Sequence, residues 1–155
     1  MYSNDLVCDI LNYVDENINN YISIDDIAVH TFFNRYYIMK LFKKELGITI
    51  NDYINKKRIY NSINQIRNTS DSFLKIALNN GFNSLEYFSE TFKKIIGVNP
   101  SIFKKSTFFI MNIKTKDIIT IRENLIMLNN TISKINLYKD RRKTSVPKEK
   151  KLSIF

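Results

Sequence analysis

An all-α fold is predicted, built as two helix-turn-helix subdomains joined by a long linker helix and followed by a C-terminal amphipathic helix and a basic tail. Three observations predict it. Only three Gly and two Pro stand among 155 residues, too few of the breakers that the turns of a β fold require. Apolar residues recur at helical spacing along most of the chain. And the run at 27–47 returns, altered, at 76–97, which marks an internal duplication.

Leu6, Ile10, Leu11, Val14 and Ile18 give a first helix one buried stripe. Cys8 lies beside that stripe and reads as an ordinary half-buried thiol. Ser23 with Asp26 three residues on forms an approximate capping box for a short helix containing Ile24, Ile27 and Ala28. After a turn through Thr31, Phe32 and Phe33, Asn34 caps a longer helix that runs to Leu46 and stops at Gly47. Thr49 caps a long helix over about 50–67 whose inward positions include Tyr53, Ile54, Ile59, Ser62 and Ile66. Asn68 to Asp71 is a polar turn. From Ser72 the pattern repeats, with a short helix carrying Phe73, Ile76 and Ala77, a turn at Gly81, and a helix from Ser84 to Ile96 ending at Gly97.

The duplication holds letter by letter. IAVHTFFN at 27–34 lies over IALNNGFN at 76–83, and YIMKLFKKELG at 37–47 over YFSETFKKIIG at 87–97; one extra residue in the second copy moves the offset from 49 to 50. The identities fall at turn, core and stop positions, so two related helix-turn-helix units are expected.

Charge narrows the function. The net +9 is segregated: residues 1–30 carry six acids and no Lys or Arg, residues 31–110 thirteen basic against five acidic side chains, and residues 111–155 eleven against four. A polyanion partner for the middle and the tail accounts for this, as does a solubilising role for the tail. One His and one Cys leave no cluster for hydrolytic or metal chemistry, and no phosphate-binding glycine loop occurs, so neither an enzyme nor a cofactor is expected. His30, near the end of a short helix, suits a polar C-terminal role. With a single cysteine, an acidic start instead of a basic leader, and no run of about 18 apolar residues, a cytoplasmic protein without a membrane partner is expected.

In a helix-turn-helix the second helix enters the major groove of duplex DNA. On the first such helix Tyr37, Ile38, Leu41 and Phe42 are expected to face inward, leaving Arg35, Tyr36, Met39, Lys40 and Lys43 outward beside the cap Asn34, which is a further candidate DNA contact. Lys40 suits guanine O6 or N7, Tyr36 and Met39 suit a thymine methyl, and Arg35 and Lys43 suit phosphates. The linker helix of about 18 residues spans roughly 27 Å, which with its flanking turns holds two readers near the spacing of successive major grooves. On the second reader, which starts at Ser84, itself a candidate DNA contact, the outward positions are Leu85, Glu86, Ser89, Glu90 and Lys93. Two carboxylates oppose phosphate, although Glu86 can accept from cytosine N4. That conflict keeps open a competing reading, a protein-interaction module that acts on a regulator or on RNA polymerase without sequence-specific DNA contact.

Residues 10–105 resemble the DNA-binding domain of the AraC/XylS transcription regulators. The matching marks are IDDIAVH, YYIMKLFKKELGITINDYINKKRI and, most specifically, IALNNGFNSLEYFSETFKKIIGVNPSIFKK, with Ile76, Ala77, Gly81, Phe82, Phe88, Phe92, Lys93, Gly97, Pro100 and Phe103 in register. The resemblance implies a seven-helix domain over 6–105 that binds promoter DNA and activates transcription with RNA polymerase. It implies base reading by Tyr36, Met39 and Lys40 and by Leu85, Glu86, Ser89 and Glu90. Phe32 departs from the family pattern, where a small residue is common, and Glu90 stands where a basic residue is frequent. Because the matching part starts so early, the chain resembles the stand-alone members, and no small-molecule effector is indicated.

Beyond Lys105 pattern alone guides the reading. Ile118, Ile121, Leu125, Leu128, Ile132 and Ile135 form a heptad seam within an appendage over 106–138. The seam suits either a homodimer through 118–135 or docking on the DNA-binding domain together with Phe108, Phe109 and Ile113. Docking is favoured, since so few heptads are marginal as an isolated coil. The basic segment 139–155, with Pro147 and little to bury, is expected to be disordered, and it is a candidate phosphate-tracking arm.

Overall fold

The computed structural model describes residues 3–108 and 115–145, and the side chains of 5–105 and 119–141. Among these the regular structure is entirely helical. In chain order the helices are α1 (Ser3–Glu16), α2 (Ile24–Thr31), α3 (Arg35–Leu46), α4 (Ile50–Asn68), α5 (Phe73–Asn79), α6 (Leu85–Ile96), α7 (Pro100–Phe108) and α8 (Thr115–Ser145).

Local hydrogen bonding sets the boundaries. Ser23 and Asp26 form a complete capping box at the start of α2, and the side chains of Asn34, Thr49, Ser72 and Ser84 each accept from a backbone N–H in the first turn of α3, α4, α5 and α6. Gly47 and Gly97 end α3 and α6 in the left-handed conformation. Phe32 takes the same conformation at the end of α2, with φ of 59°.

α1, α2 and α3 pack together as the first subdomain, α5, α6 and α7 lie on the far part of the linker α4, and a single core runs through both. Ile10, Leu11, Val14, Ile27, Ile38 and Phe42 fill it at one end, and Ile76, Phe82, Phe88, Phe92, Ile96 and Phe103 at the other. α4 is covered on most sides, since Tyr53, Ile54, Ile59, Ser62, Ile63 and Ile66 are all buried.

Two expectations are corrected. Tyr37 is not an inward residue: its ring is half exposed and stacks on Phe33 at 5.6 Å, because Ile38, Leu41 and Phe42 already fill the core-facing side of α3. The appendage does not end at residue 138: α8 continues to Ser145, held at Lys139 by an ion pair to Asp15. The heptad seam, for which docking was favoured, faces the chain's own core: Ile121, Leu128, Ile132 and Ile135 are buried, with Leu125 partly so, where α8 meets α1, α4 and α6. Docking is the arrangement observed. Phe109, Ile113, the side chains of Phe108 and Ile118, and residues 146–155 of the basic segment lie outside the described residues.

Candidate nucleic-acid interface

On α3 the residues singled out by pattern come to one surface. Arg35, Tyr36, Met39, Lys40 and Lys43 are all exposed. Tyr36, Met39, Lys40 and Lys43 line one shallow groove of about 370 Å³, closed along its edge by Ile24 of α2 and by Thr49, Ile50 and Asn51 at the start of α4. A strip carrying a phenol, a thioether and two ammonium groups can meet base edges, a thymine methyl and phosphates together.

Two neighbours of this strip have partners inside the protein. Asn34 Oδ1 accepts from the Tyr36 N–H at 2.8 Å, so its side chain starts the helix. Arg35 makes a two-pronged contact with Asp25, at 3.0 and 3.2 Å, and lies 5.8 Å from the centre of the Tyr36 ring. Both groups of the Arg35–Asp25 pair are well exposed, so the pair is weak and a phosphate can compete for the guanidinium. Lys43 and Lys44 stand in the last turn of α3, where the helix dipole also favours positive charge.

α6 presents a different chemistry on the same framework. Under the offset of 50, Glu86 stands where α3 has Tyr36, Ser89 where it has Met39, Glu90 where it has Lys40, and Lys93 where it has Lys43. Glu86, Glu90 and Lys93 are exposed as expected, whereas Leu85 and Ser89, expected to face outward, are half buried, as is Ser84. Ser84 Oγ accepts from the Tyr87 N–H at 3.2 Å, and Leu85 packs against the core. Glu86 occupies the first turn of α6, where a carboxylate is stabilised by the helix N-terminus, so its presence has a structural cause independent of any partner. Glu90 lies on the rim of a cavity of about 440 Å³ between α4, α6 and α8, which also contains Lys56, Lys94, Asn124 and Met127.

The two halves of the domain are tied at a point that pattern did not reveal. Arg58 on α4 is almost fully buried; its Nε donates to the carbonyl of Ile18 at 2.9 Å and its Nη2 to that of Asn20 at 2.6 Å, while the guanidinium sits 5.8 Å from the centre of the Phe82 ring. Burial pulls its pKa below the usual arginine value, although arginine stays charged across the accessible pH range. Gly81, at the turn of the second unit, approaches so closely that a Cβ there would lie 2.7 Å from the Ile18 carbonyl and 2.9 Å from Arg58 Nε. The loop after α1 and the turn before α6 therefore meet around one guanidinium. Asn55 Nδ2 adds a bond to the Tyr87 hydroxyl at 3.0 Å between α4 and α6. Arg58 had no signal in the sequence beyond one basic residue in a helix rich in them, and Asn51, at the edge of the α3 groove, had none.

Other titratable residues have local roles. His30, in the last turn of α2, lies 3.3 Å from Asp9 Oδ1 and against the Tyr13 ring. Among the described residues no group of three His, Cys, Asp or Glu is placed to hold a metal, and no helix is long and apolar enough to cross a membrane.

A family profile described as a helix-turn-helix domain matches residues 27–106, more than half of the chain. The chain is 29% identical over 105 residues to the HTH-type transcriptional activator AarP of Providencia stuartii, a match covering 68% of this chain and 78% of AarP. It is 31% identical over 101 residues to the transposon Tn10 TetD protein of Escherichia coli, covering 65% of this chain and 73% of that protein. Other relatives are longer, and the match spans only 31% of the regulatory protein PocR of Salmonella typhimurium and 33% of the melibiose operon regulatory protein of E. coli. Among solved structures, an AraC-type transcriptional regulator of Chromobacterium violaceum superposes with a TM-score of 0.60 at 26% identity, covering 66% of this chain and 92% of that one. The DNA-binding domain of AdpA, solved on a target DNA, has the same fold with a TM-score of 0.61 at 14% identity, covering 64% of this chain and 90% of that one.

Proposed function

The chain belongs to the AraC/XylS family of DNA-binding helix-turn-helix transcription regulators, and on that premise we propose that it reads two adjacent major grooves of promoter DNA, with α3 as the principal base reader. The observation that carries this reading is the exposed strip of Tyr36, Met39, Lys40 and Lys43 along one groove of a doubly capped helix. Lys40 donates to guanine, Tyr36 and Met39 pack on bases, and Arg35 and Lys43 neutralise phosphates. α6 contributes Lys93 to the backbone and Glu86 to a cytosine N4, with Leu85, Ser89 and Glu90 flanking that contact and the caps Asn34 and Ser84 setting where each helix begins. The AdpA complex, on a domain of the same fold, supports DNA as the partner. AarP, named as an activator, supports activation, for which RNA polymerase is the protein partner.

The test compares two lysines on one helix. Lys40→Ala should weaken specific binding by about 1–3 kcal/mol and relax preference at one position, while Lys43→Ala should weaken specific and non-specific binding alike and lower the salt slope by about 1. Equal losses in both variants, on both kinds of DNA, would mean that α3 presents another face.

One observation favours a second reading. The exposed Glu86 and Glu90 on α6 fit a surface for a basic protein partner, with DNA held by α3 alone. Tight binding to a single α3 half-site, with no contribution from flanking DNA, supports that division of labour.

A further inference from the structure

α8 touches both halves of the domain at points far apart along its own axis. Near its start, Asn124 Nδ2 donates to the carbonyl of Ile96 at 2.9 Å, in the last turn of α6. Gly97 beside it leaves so little room that a Cβ there would lie 2.6 Å from Thr120 Cγ2 and 2.8 Å from Asn124 Nδ2. Toward the other end, Lys139 Nζ meets Asp15 Oδ2 on α1 at 2.7 Å. Asp15 Oδ1 accepts from the Tyr53 hydroxyl of α4 at 2.7 Å, with Lys57 Nζ at 3.7 Å. One carboxylate thus joins α1, α4 and α8. Lys139, Lys57 and Asp15 are each mostly shielded from solvent, which protects these contacts from the screening that weakens surface pairs. Between the two anchor points Leu128, Ile132 and Ile135 are buried.

We propose that α8 is a brace that fixes the separation and orientation of the two DNA-reading helices, with Asn124, Lys139 and Asp15 as positioning residues. Fifteen residues of helix separate Asn124 from Lys139, a span of about 22 Å. One anchor lies on the subdomain of α6, the other on that of α3. A rigid rod pinned at both ends opposes any hinge motion about α4, and does so without touching DNA. Holding the second reader in place makes its half-site contact nearly intramolecular, which raises affinity for correctly spaced sites and penalises others. The inference rests on the two-reader proposal for its effect on DNA, but the rigidity can be measured without DNA.

Two variants test it in the full chain: the mild pair Asn124→Ala with Lys139→Ala, and the severe pair Leu128→Glu with Ile132→Glu, which detaches the helix. Spin labels at cysteines replacing Lys44 and Lys94, with Cys8→Ser, report the distance between α3 and α6 by pulsed electron resonance, and binding is measured on the unlabelled variants. The brace predicts a narrow distribution for the parent and a clearly broader one for the severe pair, with the mild pair between. Binding is then measured to duplexes with both half-sites at the selected spacing, with the spacing lengthened by two base pairs, and with one half-site alone. Spacing discrimination should fall by about tenfold in the severe pair while single half-site affinity is kept, which also certifies the fold. Unchanged distance distributions in both variants would overturn the brace whatever the DNA result. Broadened distributions in a protein whose parent ignores spacing would instead overturn the two-reader proposal and leave α8 as a brace of the fold alone.

Discussion

Phe32 is the residue whose conformation and chemistry agree least. It adopts φ of 59° and its side chain is 95% exposed, at a place where the second unit has Gly81. A left-handed conformation costs a residue with a Cβ about 1–2 kcal/mol, and an exposed ring returns little of that by burial. Phe32→Gly should therefore raise the unfolding free energy by about 1 kcal/mol, read from thermal or urea unfolding; a loss would show that the ring packs on something in solution. Asp26 gives a prediction in pH. Its pKa lies below the usual carboxylate value because the Ser23 hydroxyl and backbone N–H both bond to it. A carboxylate whose folded pKa is depressed contributes stability above its unfolded pKa and loses it as pH falls through the folded one. Unfolding midpoints should thus fall on acidification below about pH 4, less steeply in Asp26→Asn. An unchanged acid slope would mean that the capping box is not formed in solution.

At the scale of elements, the parts that local chemistry decides were legible in the sequence. The caps Ser23, Asn34 and Thr49 and the stops Gly47 and Gly97 act as read, and Ser72 and Ser84 start their helices where expected, because each depends on hydrogen bonds within a few residues. What depended on distant partners was not legible. Tyr37 falls in the apolar spacing of α3 yet lies half exposed, as does its counterpart Tyr87, Arg58 looks like any linker lysine or arginine yet is buried, and α8 runs past Tyr138 to where Asp15, far off in sequence, holds Lys139. The outward residues of α3 were found by periodicity, whereas Asn51 at their edge belongs to another element and carries no periodic signal. Two glycines separate conformation from close approach. Gly47 and Gly81 both have positive φ, but a Cβ at Gly47 meets nothing within 4 Å, while one at Gly81 strikes the Ile18 carbonyl and Arg58. Gly47→Ala should cost about 1 kcal/mol and Gly81→Ala clearly more, by denaturant unfolding. Equal costs would argue against the contact around Arg58.

For the whole molecule, the separation of charge along the sequence becomes a set of local pairings in the fold. Asp15, Asp25 and Asp9, all in the acidic first part, meet Lys57 and Lys139, Arg35, and His30 respectively. The basic surplus that remains supplies a sequence-independent attraction to DNA, and α4, at 19 residues, spans about 28 Å between the two helix-turn-helix units. Whether α3 and α6 engage two adjacent grooves is the decisive question. Selection from random duplex DNA by the purified chain at about 150 mM salt measures this. A bipartite motif is expected, its halves about 10 base pairs apart and the more sharply defined half bound by α3. Enrichment of no motif at that salt would contradict it and leave a protein-binding module as the function of this fold.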